Sequence, residues 1–189
     1  MKKLIILIVS TFLLMMMPQA TAANTVIRIT APVNQTFTGE FRNDDLAQLL
    51  TPSGDLGLKV FQPIAKNRTW VIDAALVDEV ILMSNEYVLA TEAEPAGKEI
   101  ATAWLTQLKR VTAGNEVVAL AYGNPDIALA KRLAPSELKN YFVYGQDRLQ
   151  LALGRLVRSE PQVAWSVGKS GLSNPLRKSY SDNRKALTR

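Results

Sequence analysis

The sequence predicts an α/β fold, a partial (half) (β/α) barrel with about four parallel strands and covering helices. Three observations predict it. Four short runs, at residues 25–30, 69–72, 117–121 and 163–167, are β-branched or almost wholly apolar, the pattern of parallel strands covered on both faces. The segments between them show helical spacing and are each long enough for a crossover connection. Hydrophobic residues make up 48% of the chain and charged ones 21%, with no cysteine, so the fold must rest on a packed core without covalent staples.

The chain opens on Lys2-Lys3 and an apolar run from Leu4 to Met17, broken only by Ser10 and Thr11. Ala20 and Ala22 supply the small residues of a cleavage site, so residues 1–22 read as a signal peptide. The mature chain is then secreted, an extracytoplasmic protein of the cell envelope. A spanning helix needs ~20 apolar residues, more than this run holds; an uncleaved signal anchor is the alternative reading.

Thr25–Thr30 is the first strand and stops before Pro32. Asn43 or Asp44 fits the cap of a short helix to Leu50, ended by Thr51-Pro-Ser-Gly54, and a second short helix runs from Leu56 to Ala65. Thr69-Trp-Val-Ile72 is the second strand. Asp73 follows at once, and Leu76, Val80 and Met83 mark one face of a helix over 74–83. Pro95 opens an amphipathic helix with Ile100, Trp104, Leu108 and Val111 on one side, closed by Gly114-Asn115. Val117–Ala121 is the third strand. In the turn Tyr122-Gly-Asn-Pro-Asp126, Asn124 fits an N-cap and Pro125 the first residue of a helix to Leu133. A long helix spans 136–157, weakened in its middle by Gly145, and Val163–Val167 is the last strand. Right-handed crossovers place all four carboxyl-terminal strand ends at one edge, where ligands bind in folds of this kind.

Residues 23–168 thus form a single α/β domain, followed over 169–189 by a flexible basic tail with six Lys/Arg against Asp182 alone. The formal charge of the whole chain is +5, yet the 23–168 body carries 14 basic and 16 acidic side chains. The body is no polycation for nucleic acid, and membrane contact falls to the leader or the tail. With no His and no Cys, imidazole catalysis, thiol nucleophiles and Cys/His metal sites are excluded; no metal or cofactor is expected. Ser166-Val-Gly-Lys169, Lys169-Ser-Gly171 and Ser181-Asp-Asn183 imitate the motifs of penicillin-binding enzymes, but one lysine cannot fill two positions of one site.

Three blocks, Trp70-Val-Ile-Asp73-Ala-Ala-Leu76-Val-Asp78, Ala103-Trp104-Leu105-Thr-Gln-Leu108 and Val118-Ala-Leu-Ala-Tyr122-Gly-Asn-Pro-Asp126, carry a resemblance. With Asn43-Asp44-Asp45-Leu46, Ser53-Gly54-Asp55-Leu56 and Val163-Ala-Trp165, the chain resembles an uncharacterised family of large exported, membrane-tethered actinobacterial proteins over residues 25–175. The resemblance implies a (β/α) barrel related to glycoside hydrolases and polysaccharide deacetylases. The chain departs from that family at Ala74, where the family usually has Pro, and in offering four strands where a closed barrel has eight. A half-barrel, a fragment or a shortened relative is therefore expected. The metal chemistry of the deacetylases, which uses two His, is excluded in its known form.

A glycosidase needs two carboxylates at neighbouring strand ends as an acid/base or acid/nucleophile pair. Asp73 with Asp126 is the candidate catalytic pair. Tyr122, Asn124 and Trp165 are the candidate ligand-binding residues, the two aromatic rings suited to the C–H face of a sugar. Each also has a structural reading: Asp73 and Asn124 as N-caps, Asp126 beside a helix N-terminus, Trp165 as core. The expected role is a non-catalytic or degenerate glycan-associated module for a cell-wall polysaccharide. The alternatives are a glycoside hydrolase, or a structural domain whose unpaired sheet edges join a second copy or another chain.

Overall fold

The computed structural model describes residues 25–62 and 68–162. The leader, the strand expected at 163–167 with Trp165, and the basic tail lie outside the described residues. Strand β1 (Thr25–Ile29) leads to two short helices, α1 (Asp45–Leu50) and α2 (Asp55–Phe61). Strand β2 (Arg68–Ile72) leads to α3 (Ala74–Met83) and α4 (Lys98–Thr112). Strand β3 (Glu116–Ala119) leads to α5 (Ile127–Leu133) and α6 (Pro135–Leu153), and β4 (Arg158–Ser159) runs into a 3-10 turn at Glu160–Gln162.

All neighbouring strands pair in parallel, in the order β1-β2-β3-β4. This is the expected α/β fold, a four-stranded parallel sheet with surrounding helices, open like part of a barrel. The fourth strand of the described sheet is one that the sequence pattern does not announce. Arg158–Ser159 is polar and held by two residue pairs, Val118↔Arg158 and Ala119↔Ser159; two residues carry no alternation to read. Helix α6 also ends before the expected 157, because Gly154 takes the left-handed φ of 66° that closes it.

Alternate residues of a strand face opposite sides of the sheet. Ile29, Trp70, Ile72, Val117 and Ala119 form one face and pack in a single cluster with Leu46, Leu56, Val60, Val80, Trp104, Leu108 and Leu149 from the helices. Helices α5 and α6 pack near Ala121, of the same parity, through Ile127 and Leu138. The opposite face has its own cluster of Val71, Val118 and Leu120, to which no described helix contributes. The expected cover on both faces thus comes, among the described helices, on one. The reason is the winding: when every right-handed crossover steps the same way, every helix lands on the same side.

Two indoles sit at the centre of the helical side, Trp70 and Trp104, both fully buried. Trp104 Nε1 donates to Leu56 O at 3.1 Å, and Gln107 Nε2 to Val60 O at 2.8 Å, tying α4 to α2. Trp70 Nε1 has no acceptor among the described residues. Phenylalanine at either position removes similar volume, but only Trp104→Phe removes a hydrogen bond between helices. Urea unfolding should therefore find Trp104→Phe the more costly by about 1 kcal/mol; equal costs would show that the indole N–H contributes nothing.

Candidate functional site

The parallel ladder continues one residue past β2 and β3: Asp73 N donates to Ile29 O and Leu120 N to Ile72 O, both at 3.0 Å. This carries Asp73 to the carboxyl edge of the sheet, the rim on which the candidate residues were expected. Asp73 is also the N-cap of α3, with φ −83° and ψ 119°, as its structural reading expected. Its Oδ1 accepts from Ala75 N and from Gly123 N, each at 3.0 Å. No described group donates to Oδ2. The residue is only 2% exposed, and burial raises its pKa from 3.8 to about 7, against the two backbone N–H donors that lower it.

The carboxylates that add to this upward shift are Glu79 and Asp78 of α3. Asp126 is not among them. Its side chain accepts from Leu129 N at 3.0 Å and caps α5. The cap expected at Asn124 is therefore at Asp126, two residues later. Gly123 and Asn124 both take positive φ, 73° and 45°, so they are spent in the turn before the helix begins. Asn124 is buried at 5% exposure, with its N–H on Ala121 O at 2.8 Å.

The side chain of Tyr122 is engaged by its neighbours in the fold. Its hydroxyl donates to Asp78 Oδ2 at 3.0 Å, and its ring meets Tyr144 edge-on at 4.7 Å. Arg148 of α6 forks onto the same carboxylate, Nε to Oδ2 and Nη2 to Oδ1, each at 2.9 Å. Burial, then the Asp78 charge, raises the pKa of Tyr122. Asp78, Tyr122 and Arg148 thus tie α3, the β3 loop and α6 into one frame beneath the rim.

Glu79 is the residue that the sequence analysis passed over. It is 5% exposed on α3, beside Leu76, Val80 and Met83. Its carboxylate accepts from Asn34 N at 3.0 and 3.2 Å and from Gln35 N at 2.9 Å. Burial raises its pKa, opposed by these N–H groups and by the Arg42 charge. The signal was an acid placed on the apolar stripe of a helix. Among the described residues no group of three or more acidic side chains is arranged to hold a metal ion, and no described helix is long and apolar enough to cross a membrane.

No family model matches the chain, and no curated protein matches it. The likeness to the exported actinobacterial family rests on the short blocks quoted above.

Proposed function

We propose that this chain is an exported cell-envelope module of the (β/α) barrel kind that binds a wall glycan at the carboxyl edge of its sheet without cleaving it. The observation that supports this reading is Asp73. One oxygen is fixed by two N–H donors while no described group donates to the other, at the edge where parallel sheets receive ligands. At 2% exposure Asp73 meets a sugar only where the loops over the rim give way; a carboxyl that exchanges its proton near pH 7 then both donates and accepts, which suits the hydroxyls of a sugar. Asp126, the partner first suggested for hydrolysis, is engaged as the cap of α5.

One observation favours the hydrolase alternative. Glu160 lies one residue past β4 as Asp73 lies one past β2, at the same level of the sheet with β3 between them. Two strand spacings put their backbones ~10 Å apart, a separation from which side chains can approach the geometry of an inverting pair.

Titration calorimetry with soluble wall-polysaccharide fragments tests the binding reading. Saturable binding is expected, with Asp73→Asn weakening it by about tenfold, the loss of one charge-capable hydrogen bond. A flat titration at millimolar ligand removes the reading. Release of reducing ends by the wild type would replace it with the hydrolase.

A further inference from the structure

Helix α3 carries two buried acids, and each holds the loop of a different neighbouring strand. Asp73 accepts from Gly123 in the β3 loop. Glu79 accepts from Asn34 and Gln35 in the β1 loop. We propose that Asp73 and Glu79 form a proton-controlled latch that sets how the β1 and β3 loops sit across the carboxyl edge of the sheet, and so how that edge meets its ligand. The last clause rests on the glycan-binding reading; the latch does not.

Three features carry the inference. Both acids are nearly sealed from water, so their ionisation is not absorbed by solvent and falls on their protein partners. Every bond they make to the loops comes from a backbone N–H, and such a donor bonds an ionised carboxylate roughly twice as strongly as a neutral acceptor. The β3 loop also has a conformation to be held: Asn124, a non-glycine residue, sits at φ 45° directly after Gly123, a region that few L-residues other than Asn and Asp adopt.

The charged groups of the surrounding elements are few and placed. Arg42, in the β1 loop, favours the ionised form of Glu79. Asp78 opposes the ionisation of Asp73 and is itself forked by Arg148 of α6, with the Tyr122 hydroxyl of the β3 loop on the same carboxylate. Arg28 of β1 pairs in register with Val71, two residues before Asp73, and Glu160 follows β4. The charges of α4, Lys98, Glu99, Lys109 and Arg110, are all exposed. The Glu79 charge also disfavours the ionisation of Asp73.

Amide NMR of the isotope-labelled full chain from about pH 5 to about pH 8.5 tests the latch, because ionisation of an acceptor shifts the donor proton downfield. The Gly123 amide should titrate with its midpoint near the raised value of Asp73, its proton moving downfield as the carboxylate forms. In Asp73→Asn the Gly123 titration should vanish; Glu79→Gln should leave the Gly123 titration in place and remove any pH response of the Asn34 and Gln35 amides. A wild-type Gly123 amide that stays fixed across the range overturns the proposal even if a variant fails to fold, and so does a titration that survives Asp73→Asn. Titrating amides in a chain that binds no glycan would leave the latch standing and remove only its ligand.

Discussion

Alanine at position 145 should destabilise the fold by about 2–3 kcal/mol, although it replaces glycine in the middle of a nineteen-residue helix. Elsewhere in a helix the exchange stabilises by ~1 kcal/mol. Here α6 lies directly on the end of β3. A Cβ at 145 would overlap Leu120 O and stand 3.0 Å from Tyr122 N, both backbone atoms that cannot turn aside. The close approach also lets Tyr122 N donate to Tyr141 O at 3.0 Å, a bond from strand to helix that any added side chain would prise apart. Overpacking of this kind costs roughly 1–3 kcal/mol, and the lost hydrogen bond about 1 more. Denaturant unfolding of the variant decides it: equal or greater stability would mean that α6 moves off the sheet freely.

The second large effect is a dependence on pH. The folded pKa of Asp73, about 7, lies above its unfolded value of 3.8. Between those values the folded state holds the extra proton, so stability falls as pH rises through the window and levels off above it. Three pH units correspond to a swing on the order of 4 kcal/mol. Asp73→Asn removes it, since the amide oxygen still accepts from Ala75 and Gly123 but never ionises. The difference in unfolding free energy between Asp73→Asn and wild type should therefore grow in the variant's favour from about pH 4 to about pH 8. Parallel curves would show that the carboxyl ionises in the fold as it does in water.

What was legible in the chain was whatever repeats. Thr69–Ile72 reads as an apolar strand, and Asp73 directly before Leu76, Val80 and Met83 announces a capped helix; both elements are where the pattern put them. What was not legible depends on partners distant in sequence. Glu79 looks like a charge on a helix until Asn34 and Gln35, more than forty residues earlier, are seen to donate to it. Gly145 looks like a flaw in a helix until the carbonyl of Leu120 is placed against it. The cap at Asp126 was within reach of sequence reasoning, because Gly-Asn is the pair that most readily takes two left-handed residues in succession.

The strand order has a mechanical corollary. Because each strand pairs with the ones just before and after it in the chain, traction does not have to shear the sheet as a whole. Pulling from beyond Gln162 opposes first the two residue pairs of β4, then four pairs between β2 and β3, and last the five that join β1 to β2. Among the described residues the sheet is graded like a zipper, with fewest pairs at β4, and the Asp73 edge is dismantled in steps under load.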